Sequence, residues 1–164
     1  MTELRATLRL QFHPGFTLDD ATALVGYFDR LGISHIYTSP LLKARPGSAH
    51  GYDVVDPTCI NPELGGEPAL RRLAEALHQR QMGLIMDLVP NHMAVDNHNP
   101  WWQDVLLWGS TSAYASFFDI NWHCHDPFMR DKLLLPILAE DYLSTLKAGH
   151  IRLVFVPVTG RFYI

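Results

Sequence analysis

From Thr7 to Phe12 apolar and polar residues alternate, with Leu8, Leu10 and Phe12 set against Arg9 and Gln11. That is the two-residue period of a strand with one buried face. His13-Pro14-Gly15 ends it. Thr17 then offers a helix N-cap ahead of Asp19 and Asp20, and Leu18, Ala21, Leu24, Val25, Phe28 and Leu31 recur at helical spacing until Gly32. His35 to Ser39 reads as a second strand stopped by Pro40, after which a long Gly- and Pro-rich loop runs to the neighbourhood of Gly66. Pro68 suits the first turn of a second helix with Leu70, Leu73, Ala74 and Leu77 on its core face. Gly83 separates that helix from a third strand, Leu84 to Val89, apolar throughout except for Asp87 in its middle.

The sum is β-α-β-α-β, and strands alternating with helices of this length predict an α/β fold with a parallel sheet covered by helices on its outer side. A barrel and an open doubly wound sheet both satisfy the pattern. A dinucleotide-binding fold needs a Gly-rich turn directly after the first strand, which His13-Pro14-Gly15-Phe16 does not supply. In a (β/α) barrel the chemistry sits at the carboxyl ends of the strands. Here those ends carry His13, Ser39-Pro40 and Asn91-His92.

Beyond His92 the repeat breaks. Asn97-His98-Asn99-Pro100 opens a segment with Trp101, Trp102 and Trp108, followed by an expected strand at Leu133 to Leu138, a helix at Glu140 to Lys147 and a strand at Ile151 to Val156. The expectation is therefore a partial (β/α)8 TIM barrel, its first three β-α units in residues 1–95, with the start of an inserted subdomain after strand three in residues 96–164.

Composition narrows the partners. A net charge of −4 over 164 residues gives no broad phosphate-binding surface, so nucleic acid is not an expected partner. No apolar run is long enough for a signal peptide or a membrane span, which makes the cytoplasm the expected compartment and a membrane no partner. Cys59 and Cys124 are too few for a disulfide framework and read as reduced thiols. Asp87, His92, His98 and the run His123-Cys124-His125 contain metal-ligating residue types, but their spacing matches no metal motif, so no metal and no cofactor is expected.

Asp87-Leu88-Val89-Pro90-Asn91-His92 resembles the third-strand DxxxNH signature of the α-amylase superfamily, and His50-Gly51-Tyr52-Asp53 resembles its loop after the second strand. Longer blocks are narrower. Ala44 to Gly66, Asp87 to Val95 and Asn99 to Leu106, with the stretch Arg9 to Thr17, resemble the maltooligosyltrehalose synthase family. The resemblance implies a catalytic (β/α)8 barrel that converts the reducing-end α-1,4 linkage of a maltooligosaccharide to an α,α-1,1 linkage, a step in trehalose biosynthesis. That chemistry is intramolecular transglycosylation by the two-carboxylate route of retaining glycosidases.

What the resemblance implies for single residues is limited. Tyr52 corresponds to the tyrosine that stacks on the sugar beside the scissile bond, and His92 to the histidine that hydrogen-bonds that sugar's 6-hydroxyl. His50 and Asp53 are candidate substrate contacts, Asp53 divided evenly between that and bracing its own loop. Asn91 shapes the loop, and Asp87 supports the site by pairing with an arginine beside the nucleophile. The nucleophile, acid/base and transition-state-stabilising residues belong to later strands, so no catalytic residue is expected within residues 1–164, and the chain alone is expected to be inactive. Within the three strands Arg9 is the nearest cation to Asp87, and none is expected to meet it. The other readings are another α-glucan hydrolase or transglycosylase of the superfamily, a metal-dependent barrel hydrolase, and a non-catalytic glucan-binding module.

Overall fold

The computed structural model describes residues 3–164. The chain divides into two compact units, one running to Asp119 and a second formed by Ile120–Ile164.

In the first unit, β1 (Thr7–Leu10), β2 (His35–Thr38) and a later strand of residues 83–85 form a parallel sheet, with β2 in the centre. Between β1 and β2 runs α1 (Leu18–Arg30). Its start is fixed by a capping box in which Thr17 accepts from the Asp20 amide while the Asp20 carboxylate takes the Thr17 amide. After β2 the chain makes an antiparallel hairpin, β3 (Leu42–Ala44) and β4 (Val54–Ile60), with bulges on either side of Lys43. It then enters α2 (Gly66–Gln79) and the third parallel strand, β5 (Gly83–Ile85). Both helices cover one face of the sheet. Leu18, Ala21, Val25 and Phe28 from α1 and Ala69, Leu73 and Leu77 from α2 pack with Leu8, Leu10, Phe12, Ile36 and Leu84 from the sheet. Surface ion pairs Arg72–Asp19 and Arg80–Asp29 join the helices at their rims, where such pairs add little.

Several expectations change. Leu24 and Leu31 are solvent-exposed, because the buried stripe of α1 is narrower than their spacing suggests, and Ala74 points outward while Ala69 takes its place on the core face of α2. The Gly- and Pro-rich loop contains the β3–β4 hairpin. β5 ends at Ile85 and not at Val89, so Asp87 lies two residues beyond the strand.

Past β5, Asn99 caps α3 (Pro100–Trp108) with its side-chain oxygen and donates its amide to Ala94, although it is fully buried. In the second unit the segment 133–138 is not a strand. The expected helix there is α4 (Tyr142–Lys147), capped by Asp141, and the expected last strand shortens to β6 (Val154–Val156) in a hairpin with β7 (Arg161–Tyr163), which periodicity did not indicate.

Candidate functional site

Residues across a parallel sheet share a face when they share a row, and the pairing Arg9 with Tyr37 with Ile85 is such a row. Its side chains stand opposite to those of Leu8, Ile36 and Leu84, away from the helices. Two residues beyond Ile85, Asp87 keeps the same parity and comes to the carboxyl end of this uncovered face.

Asp87 is not an orphan charge. Its Oδ2 accepts the hydroxyl of Tyr52 at 2.6 Å and that of Tyr37 at 3.2 Å, and the side chain is only half-buried. A carboxylate with two hydroxyl donors and partial hydration carries little of the penalty a buried unpaired charge would. Arg9 approaches from β1. Its Nη2 donates to the Tyr52 hydroxyl at 3.3 Å, its Nη1 to Gln11 at 3.0 Å, and its guanidinium carbon lies 5.6 Å from the centre of the Tyr37 ring. Among the described residues Arg9 forms no ion pair with Asp87, as expected, and is linked to it only through the Tyr52 phenol. Donation to Asp87 pushes the Tyr52 hydroxyl pKa above its ordinary value, with Arg9 pulling the other way.

The loop between β3 and β4 brings Tyr52 to this position. Gly51 has φ of 79°, and a Cβ there would lie 2.6 Å from the Pro40 carbonyl oxygen, so the chain can cross the end of β2 only with glycine. Ser48 donates to Asp53 and accepts from the Gly51 amide at 3.1 Å, closing the turn. The Gln11 amide holds the Ala49 and His50 carbonyls at 3.2 and 3.3 Å. His50 Nδ1 accepts the Tyr52 amide at 3.0 Å, so that nitrogen is unprotonated and its 3.8 Å approach to Asp53 is no charged bond. The His50 ring lies against one face of Tyr52, centroids 6.0 Å apart.

Asn91 and His92 are placed elsewhere. Both are exposed, and both line a largely apolar cavity of about 360 Å³ walled by Leu42, Val54, Leu88, Trp101 and Phe117; Tyr52 and Asp87 are not on its wall. Trp101 stacks on Tyr114 at 5.2 Å and faces this cavity, whereas Trp102 is buried against Phe118. The segment carrying Asn91 and His92 is tied down by Ala94, whose amide donates to Val54, and by Asp96, which bonds the His98 amide and pairs with Arg45 at 3.0 Å. Those bonds, the His98 amide first, hold the Asp96 carboxyl below the ordinary carboxylate range. The structure therefore joins Tyr52 to Asp87, stacks His50 on Tyr52, ties Asp53 to Ser48 in the same turn, and sets Asn91 and His92 on a neighbouring wall.

Tyr37, Arg9 and Gln11 were not singled out as site residues from the sequence. The signal that would have found them is parity: each alternates with the apolar residues that face the helices. Among the described residues no three His, Cys, Asp or Glu side chains gather as a metal site would require.

The family profile for the α-amylase catalytic domain matches residues 17–141 of this chain. The chain belongs to the α-amylase family. Within the family it is 52% identical over 129 residues to a Mycobacterium tuberculosis protein described as a "Putative maltooligosyl trehalose synthase", a match covering 77% of this chain and 16% of the relative. A solved maltooligosyl trehalose synthase superposes with a TM-score of 0.89 at 42% identity over 98% of this chain and 21% of its own. The maltooligosyltrehalose synthase of Arthrobacter ramosus does so with a TM-score of 0.70 at 48% identity, covering 71% of this chain and 16% of its own. The chain thus spans about a sixth of the length of the curated relatives it matches. No helix among its described residues is long and apolar enough to cross a membrane.

Proposed function

We propose that this chain is part of the catalytic domain of a cytoplasmic maltooligosyltrehalose synthase, an intramolecular transglycosylase acting on α-1,4-glucan oligosaccharides. What carries the reading is the likeness to a solved maltooligosyl trehalose synthase, which extends through 98% of this chain rather than through the signature motif alone. In this reading residues 1–95 supply the first three β-α units of a (β/α)8 barrel and residues 96–164 begin a subdomain inserted after the third strand.

The sheet face carrying Arg9, Tyr37 and Asp87 lines the barrel interior. Tyr52 lays its ring against the sugar beside the scissile bond, where an aromatic face suits both the apolar face of the pyranose and developing positive charge. His92 bonds the 6-hydroxyl of that sugar, and Asn91 shapes its loop. His50 and Asp53 line the same approach while bracing the turn that presents Tyr52. Asp87 holds the Tyr52 hydroxyl. The nucleophile and the acid/base are carboxylates contributed by later strands. Residues 1–164 alone turn over no substrate.

The test incubates the full-length protein containing this chain with maltopentaose and follows reducing ends together with free glucose. Reducing ends should fall with little glucose released, and the product should be capped by a non-reducing trehalose unit. A rise in reducing ends would assign the chain to an α-glucan hydrolase, and trehalose-capped product from residues 1–164 alone would overturn the division of labour.

A further inference from the structure

Resting on the reading of Tyr52 as the sugar platform, we propose that Arg9 is a positioning residue for it: the guanidinium and Asp87 grip the Tyr52 hydroxyl from two sides and fix the ring plane before a sugar arrives.

Donor chemistry sets the direction of each bond. A guanidinium can only donate, so the Tyr52 oxygen accepts from Arg9 at 3.3 Å and its single hydrogen goes to Asp87 at 2.6 Å. The chain of bonds from Arg9 to Tyr52 to Asp87 runs from positive to negative charge, and each bond polarises the next. The phenol oxygen is then committed at both ends and has no hydrogen left for a hydroxyl of the substrate. Its ring is the part left to meet sugar.

A tyrosine on a loop needs such a grip. Tyr52 precedes β4 and has no strand pairing of its own to set its rotamer. Arg9 is itself held in place. Gln11 accepts from its Nη1, the Tyr37 ring lies beneath its guanidinium carbon at 5.6 Å, and among the described residues no carboxylate forms an ion pair with it. Gln11 also carries the carbonyls of Ala49 and His50, so two adjacent uncovered-face residues of the β1 segment govern both the backbone and the ring tip of the Tyr52 loop. The groups around the phenol are Arg9, Asp87, Tyr37 and His50.

The first test compares Arg9→Met, Tyr52→Phe and the double variant in the full-length protein, by kcat/KM on maltopentaose. Each single change should lower it roughly 3- to 30-fold, and the pair no further than the worse single, because both remove the same contact. Multiplying losses would refute the proposal. The second needs no turnover. Tyrosine-ring carbon NMR of the full-length protein, with Tyr52 identified by its loss in Tyr52→Phe, should show the phenol ionising at higher pH in Arg9→Met and closer to the parent in Arg9→Lys. An unchanged titration would also refute the proposal. A non-additive cycle read on hydrolysis, with no trehalose-capped product, would overturn the assigned reaction and leave Arg9's role standing.

Discussion

Replacing Gly83 with alanine probes how closely β2 and β5 approach. The two strands pair with His35 directly opposite Gly83. A Cβ at residue 83 would lie 2.2 Å from His35 Cδ2 and 2.4 Å from Nε2, whereas carbon atoms in contact settle at about 3.5–4.0 Å. The ring would have to retreat by more than an ångström. It is not free to do so, because its Nδ1 is 3.0 Å from the Ser34 hydroxyl, which is 1% exposed and takes the amides of Arg5 and Ala6. The strands cannot part either, since the Gly83 amide donates to Ser34 at 2.9 Å. Overpacking of this kind costs about 1–3 kcal/mol. Gly83 is not at positive φ, so alanine also recovers about 0.4–1 kcal/mol by restricting the unfolded chain. The net expectation for G83A is a destabilisation of about 1–2 kcal/mol. In an H35A background the obstacle is gone and the sign reverses, G83A becoming stabilising by up to about 1 kcal/mol. Urea unfolding of the four chains, followed by tryptophan fluorescence, measures the coupling. An equal cost of G83A in both backgrounds would refute the steric account.

Asn99→Ala should destabilise by about 1–3 kcal/mol, since it removes the acceptor for the Trp101 and Trp102 amides and the donor to the partly buried Ala94 carbonyl. Asn99→Asp should recover the cap alone, and urea midpoints for the three proteins check the order. The Asp96 carboxyl is held low in the folded state, so its contribution is fully present above the ordinary carboxylate pKa of about 3.9 and is lost as pH falls through the lower folded value. Asp96→Asn should accordingly lower the urea midpoint at neutral pH and flatten its fall on acidification; parallel pH curves for the two proteins would contradict this. Gly51→Ala places a side chain at φ 79° against the Pro40 carbonyl. It should displace Tyr52, read as a fall of the NMR-observed Tyr52 ionisation toward that of a free tyrosine.

The alternation in β1 and the helical spacing of α1 and α2 were legible because each is a run with one buried face, and the sheet and its two helices follow from them. The β3–β4 hairpin was not. Its strands carry Lys43, Asp56 and Pro57 and pair with bulges around Lys43, so no clean two-residue period survives. β5 reads longer in sequence than it is, because the apolar residues Met86, Leu88 and Val89 continue its pattern beyond the last paired residue. At the site, motifs drew attention to Tyr52 and Asp87. The bond between them depends on a loop crossing the end of β2, which sequence spacing does not encode. Arg9 and Tyr37 carry no motif and are revealed by which neighbours they stand beside.

The separation of the sheet's two faces has a consequence for how this protein tolerates change. Leu8, Leu10 and Ile36 answer to the helices, while Arg9, Gln11 and Tyr37, interleaved with them, answer to the Tyr52 loop. Specificity can therefore drift, or be engineered, by exchanging every second residue of a strand while the intervening ones keep the scaffold intact. A library confined to positions 9, 11 and 37 would explore recognition with the hydrophobic core held constant.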